Sequence, residues 1–160
     1  MSSNLHFGLI LLATLGCGLI GGVFFAFSNF VMRALARLPD GQGIAAMQAI
    51  NVTVLNPIFL GTFVGSALLS AGLAGYGLLH FAQPGSGWLI AGGLLYLAGN
   101  LMVTQLCNVP RNNALARLDA ASADAASAWR AYLRGWNAWN HVRTTTALAA
   151  SAAFAVALLA

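Results

Sequence analysis

The chain has 160 residues, enough for one domain, of which 59% are hydrophobic and only 6% charged; a soluble domain carries about 25% charged residues to keep its surface wetted. A water-facing globule is therefore excluded, and the composition is that of an integral membrane protein. The net charge of +4 comes from seven arginines against three aspartates, and without a soluble scaffold bearing a basic stripe it does not point to nucleic acid.

Taken in chain order, the first apolar stretch covers about residues 5–32 and stops at Arg33 and Arg37. Its opening, MSSNLHF, lacks the positive start of a secretory leader, and the apolar run exceeds a leader's length, so it reads as a retained membrane helix. A short helix is expected over about residues 43–55, leading through Asn56-Pro57 into a second stretch, about 57–79, that ends in the turn-rich FAQPGSG. A third stretch covers about residues 88–107. From about Ser122 the positions Trp129, Tyr132/Leu133, Trp136, Trp139/Asn140 and Arg143 keep the spacing of one helical face. A helix should therefore begin ahead of the fourth stretch, about 136–160, and run into it, with Gly135 as its weakest point. Each stretch is long enough to cross a bilayer, which takes about 20 helical residues, and an open strand in lipid would leave its backbone unsatisfied. The expected fold is a single all-α domain, a four-transmembrane-helix bundle with a short helix before the second crossing and an amphipathic extension before the fourth.

Arginine placement orients this bundle. Arg33 and Arg37 follow the first crossing, and Arg111, Arg117, Arg130 and Arg134 follow the third, while the loop between the second and third carries no charge. Both arginine-bearing loops fall on one side, which the positive-inside rule makes cytoplasmic. Both termini then lie outside, and the expected location is the bacterial inner membrane. Gly18/Gly22, Gly61/Gly65 and Ala149/Ala153 are small residues at four-residue spacing, which suits close helix contacts within the bundle or between copies in a homo-oligomer. Cys17 and Cys107, far apart and at different depths, form neither a disulfide framework nor a metal motif and read as packing residues.

The polar side chains gather at the arginine-bearing end. Ser28 and Asn29 close the first crossing, and Asn51, Thr53 and Asn56 lead into the second. Asn100, Thr104, Asn108 and Arg111 form a stripe along the third, with Gln105 and Asn112 beside it. Trp136, Asn137, Asn140, His141, Arg143 and Thr144 open the fourth. Each alone can be a cap or interhelical glue, but four converging groups make a site, since polar side chains in lipid face the bundle interior. His141 is the one histidine at this end and can take a proton near neutral pH. Arg111 and Arg143 can stabilise the resulting anion, and asparagine amides can bind its oxygen. Phe24, Phe25, Phe27, Phe30, Trp136 and Trp139 can wall a pocket for a flat aromatic. His6 and His80 belong to the other end. One histidine without a carboxylate or thiol beside it is a poor metal site, whereas haem, with one or two axial ligands, stays open by counting. No phosphate-binding loop, nucleophile elbow, dinucleotide fingerprint or paired carboxylate is present.

The segments FFAFSNFVMRAL (24–35), MQAINVTVLNPIF (47–59), NVPRNNAL (108–115) and WRAYLRGWNAWNHVRTTTA (129–147) resemble the anthrone oxygenase-like family of integral membrane proteins, formerly a domain of unknown function. The likeness runs through nearly the whole chain in order. It implies O2-dependent oxidation of a lipophilic aromatic, anthrone to quinone as in polyketide pathways, with O2 as cosubstrate and neither metal nor flavin. On that chemistry His141 is the expected base, and Arg143 and Arg111 steady the anion. Asn51, Asn108, Asn112, Asn140, Ser28, Asn29, Thr104, Trp136, Trp139 and Phe27 would surround the substrate. Two other readings share the same residues: a binder or carrier of a lipophilic aromatic or quinone, and a structural membrane subunit whose polar cluster ties helices together.

Overall fold

A computed structural model describes residues 3–160; Met1 and Ser2, the first residues of MSSNLHF, lie outside them. Among the described residues the protein is all-helical, with five helices. Helix α1 runs over Ser3–Ala26, widens into a π-helical turn at Phe27–Val31 and resumes over Met32–Leu35. Helix α2 covers Asp40–Thr53, beginning three residues before the expected start because Pro39, with its fixed φ, opens the helix directly. Helix α3, Pro57–Leu79, starts where the sequence suggested. The Asn56 side chain accepts from the Ile58 and Phe59 amides, and Pro57 occupies the first turn, where its missing N–H is no loss. Helix α4, Ser86–Ala116, runs past the expected membrane exit and carries two π-helical segments, Leu97–Met102 and Thr104–Asn108. Helix α5, Ala125–Ala157, is continuous through Gly135.

Helices α1, α3, α4 and α5 stand side by side in alternating direction. His6 packs on Tyr76 at one end of the α1–α3 pair, and Phe24 packs on Phe63 further along. Ser151 donates to the Thr14 carbonyl, and Asn140 to that of Phe24, so α1 and α5 are also antiparallel. Tyr96 donates to the Phe63 carbonyl between α3 and α4. Helices α1, α3 and α4 are long and apolar enough to cross a membrane. Helix α5 is not among them: its first half carries the charged and amide side chains of residues 129–146, and its second half is mostly alanine, which is less hydrophobic per residue than leucine.

The close approaches lie elsewhere than the small-residue pairs suggested. Gly18 comes near Ser151, but Gly22, Gly61 and Gly65 meet no neighbour within 4 Å, so the α3 pair makes no contact inside this bundle. The seams are closed instead by Gly93 against Ala74 and the Ser70 carbonyl, Gly92 against the Phe154 ring, and Gly99 against Thr146. Gly85, at φ +80°, turns the chain into α4, and a Cβ there would lie 3.2 Å from the Ala157 carbonyl. Gly85→Ala is therefore expected to lower stability by about 1–2 kcal/mol through backbone strain. Gly87→Ala, in open space, should change it little; thermal unfolding in detergent compares the two.

Two apolar cores result. One fills the bundle from Ile10 and Phe154 to Phe24, Phe63 and Tyr96. The other, at the arginine-bearing end, packs Trp129, Tyr132 and Trp136 of α5 against Ile44 and Met47 of α2, Met32 and Leu35 of α1, and Leu115 of α4. Cys17 is buried in the first core with its Sγ 3.9 Å from Ser70 Oγ, and both cysteines are free. The outward faces carry exposed Leu12, Leu15, Leu19, Leu68 and Leu94, an apolar surface that suits lipid.

Candidate functional site

Where the two cores meet, a cavity of about 420 Å³ opens between α1, α2, α3, α4 and α5, within the size range of small-molecule sites. Its walls are mostly apolar and aromatic: Val23, Phe24 and Phe27 of α1, Met47 of α2, Phe59 and Phe63 of α3, Leu101 of α4 and Trp136 of α5. Arg143 lies against them, 5% exposed, its guanidinium 4.0 Å from the centre of the Phe24 ring and 5.1 Å from that of Trp136.

A buried network sets the position of Arg143. Its Nη2 donates to Asn140 Oδ1 at 2.7 Å and its Nη1 to Thr104 Oγ1 at 3.3 Å. Asn140, fully buried, in turn donates from Nδ2 to the Phe24 carbonyl and to Ser28 Oγ, both at 2.7 Å. Thr144 donates to the Asn140 carbonyl and lies 3.4 Å from Ser28 Oγ. The Phe24 carbonyl lies just ahead of the π-helical turn of α1, a place where the backbone bonding pattern shifts and a carbonyl can turn to a side chain. On α4, Asn100 donates to Thr146, and Asn108 donates to the Trp136 carbonyl at 3.2 Å.

The electrostatics of this arrangement are lopsided. The three acidic residues of the chain, Asp40, Asp119 and Asp124, do not line the cavity, and the Arg143 partners are neutral oxygens. Burying an unpaired cation costs several kcal/mol, whereas two desolvated ring faces return about 2 kcal/mol each and amide or hydroxyl bonds in lipid about 1 kcal/mol each. The charge is thus held by ring faces and neutral oxygens, with no counter-charge at the cavity among the described residues. Among the described residues, three buried donors on cavity-lining side chains also have no partner: Arg143 Nε, Trp136 Nε1 and Asn51 Nδ2. Each is an N–H group with almost no accessible surface, left without a hydrogen bond inside the protein.

The other wall is polar. Gln48, Asn51, Asn112 and Asn113 line it. Gln48 ties α2 to the end of α4 by donating to the Leu115 and Leu118 carbonyls. Tyr132 donates to Asn112 Oδ1 at 3.0 Å. Burial pushes its phenol above the usual tyrosine range, opposed in smaller measure by the Arg143 charge. Tyr132 therefore remains a neutral donor through neutral and mildly alkaline pH.

Of the residues singled out from the sequence, Phe27, Asn51, Thr104, Asn112, Trp136 and Arg143 come together at the cavity. Ser28, Asn108 and Asn140 lie buried behind it as supports. Asn29 and Trp139 are exposed and do not line it, nor do Phe25 and Phe30. Arg111 of α4 lies beside Gly135 of α5, away from the cavity, donating to the Cys107 carbonyl, and lines a separate groove with Leu118 and Tyr132. His141 is exposed, its Nε2 3.3 Å from Asn137 Nδ2, and it does not line the cavity. Two residues apart on a helix, His141 and Arg143 point about 200° from each other, so once Arg143 faces inward His141 cannot. His6 and His80, at the far end, both pack on the Tyr76 ring. Among the described residues, histidine, cysteine and carboxylate are absent from the cavity lining. Gln105, beside the polar stripe of the third stretch, lines the cavity as well, while Phe59, Phe63, Gln48 and Asn113 were not singled out as site residues. Gln48 was within reach, being three residues before Asn51 on the same face of α2.

Long apolar helices around a cavity lined by aromatic and amide side chains define a helical membrane protein. The chain belongs to the anthrone oxygenase family, whose family model matches residues 45–153. Three of the four motifs quoted above fall inside that range; FFAFSNFVMRAL, which supplies Phe24 and Phe27 to the cavity, precedes it. No curated protein and no solved structure matches the chain.

Proposed function

We propose that the protein is a membrane oxygenase that oxidises a lipophilic aromatic ketone of the anthrone type with O2 in this cavity. The observation that carries the reading is the buried Arg143, without a carboxylate partner, against the Phe24 and Trp136 rings. Such a group favours the enolate of a flat aromatic ketone over its neutral form. An anthrone loses a proton from its CH2, and the enolate so formed is electron-rich enough to reduce O2 itself. It passes an electron to O2, and the radical pair combines at carbon to a peroxide, which is protonated. Loss of the remaining C–H proton with cleavage of the O–O bond leaves the ketone and water. One anthrone and one O2 thus become one quinone and one H2O, with no cofactor entering the balance. Arg143 makes the bound ketone a stronger acid, so that water at the polar Asn113 edge of the cavity accepts the proton. The Asn51 and Trp136 donors hold ligand oxygens, and the apolar walls exclude water from the intermediates. The arginine-bearing end is taken as cytoplasmic in a bacterial inner membrane with four crossings, α5 being the fourth, held by its packing against α1 and α4.

The test is oxygen uptake by the protein in lipid vesicles on addition of an anthrone, with quinone formation followed by absorbance. Stoichiometric uptake supports the oxygenase; binding of the anthrone without uptake supports a carrier instead. His141→Ala is expected to retain the rate within about twofold, as for a surface change away from the site. A hundredfold loss would restore His141 as the base and overturn this arrangement of roles.

A further inference from the structure

The mouth of the cavity has an unusual composition for a water-facing opening. Leu60 and Val64, four residues apart on one face of α3, line the cavity and are 38% and 45% exposed. Cavity-lining side chains this accessible lie towards its open side. Across from them Leu101 and Gln105 of α4 also line it. The α3–α4 pair is joined by the bond from Tyr96 to the Phe63 carbonyl, at the inner end of the cavity. Nearer the arginine-bearing end the cavity lies between the two helices.

Depth decides what this opening faces. Helix α3 has 23 residues, about 35 Å at 1.5 Å per residue, against about 30 Å of bilayer hydrocarbon. Val64 is seven residues inside Pro57, about 10 Å along the axis, and so within the acyl layer when α3 spans the membrane. Exposed Val52 and Leu55 extend the same apolar rim beyond the helix end. We propose that ligands enter and leave this cavity sideways, from the lipid, through a portal between the first turns of α3 and the distal half of α4 framed by Leu60 and Val64. The portal rests on the reading of the cavity as a ligand site, and it makes a solute dissolved in the bilayer the occupant.

Thiol labelling tests the route without turnover, so its outcome is separate from that of the oxygenase assay. In the full chain with Cys17→Ala and Cys107→Ala, Leu101→Cys places one thiol inside the cavity. In vesicles it should react with N-phenylmaleimide, which partitions into lipid, faster than with a charged sulfonatoethyl methanethiosulfonate. Val64→Trp, and independently Leu60→Trp, should slow the maleimide reaction about tenfold by adding a barrier at the portal, while Asn113→Trp at the water-facing edge should not. Both tryptophans replace outward-exposed side chains, so the fold tolerates them, as unchanged circular dichroism would verify. Slowing by Asn113→Trp alone, insensitivity to all three, or equal reaction with the charged reagent would overturn the portal.

Discussion

Replacing Arg143 with methionine is expected to abolish oxygen uptake while leaving the protein folded. Methionine fills the space against Phe24 and Trp136 and removes the desolvation cost of a charge held only by ring faces and neutral oxygens. It leaves Asn140 Oδ1 and Thr104 Oγ1 without their donor, a cost of about 1–3 kcal/mol of similar size and opposite sign. The net stability change should therefore stay within about 1 kcal/mol. The enolate, by contrast, loses the one cation at the cavity. Losing a preorganised donor to a developing oxyanion costs about 10²–10³ in kcat, and here a full charge is lost with it. Arg143→Lys keeps the charge without the planar fork that engages Asn140 and Thr104 together, and should recover only part of the rate. Steady-state oxygen uptake, read alongside thermal unfolding of the same samples, checks the pair. An Arg143→Met protein with the full rate would remove the anion-stabilising role.

Asn140→Ala should do the reverse, lowering stability first and the rate as a consequence. The side chain is fully buried and makes three short bonds on three partners: the Phe24 carbonyl, Ser28 and Arg143. Alanine strands a backbone carbonyl and one guanidinium donor, each at about 1–3 kcal/mol. A total near 3 kcal/mol corresponds to a fall of roughly 10 °C in Tm for a chain of this size. Released from Asn140, Arg143 loses its fixed position, so KM and kcat should both worsen. The exposed Asn29→Ala serves as the comparison, with a change of about 0.5 kcal/mol or less. Equal Tm values for the two variants would show that the Asn140 bonds contribute nothing.

Set side by side, these residues show how far sequence reasoning reaches in a protein of this kind. The helices were legible because four apolar runs, the Asn56-Pro57 start and the FAQPGSG turn are local signals, each acting over a few residues. The inward face of α5 was legible for the same reason: Trp129, Tyr132, Trp136, Asn140 and Arg143 recur at helical spacing, and all five are buried. Where several faces were chemically plausible, spacing could not choose between them. Asn137 and His141 share one flank of α5, Asn140 and Thr144 the next. Which one turned inward was settled by the π-helical turn of α1, beside which the Phe24 carbonyl meets Asn140.

The sequence by itself therefore determined the all-helical membrane class, the family, and the end of the chain's helices at which polar groups collect. Composition and short-range periodicity carry that information, and neither depends on how the helices pair. Only the tertiary structure decided that Arg143 lies in the cavity and Arg111 away from it, that His141 stays outside, and that Gly92, Gly93 and Gly99 rather than Gly61 and Gly65 close the seams. The physical reason is rotational. A helix turns its side chains about 100° per residue, so the neighbour against which it packs selects which of several polar stripes is buried, and that neighbour is a long-range choice.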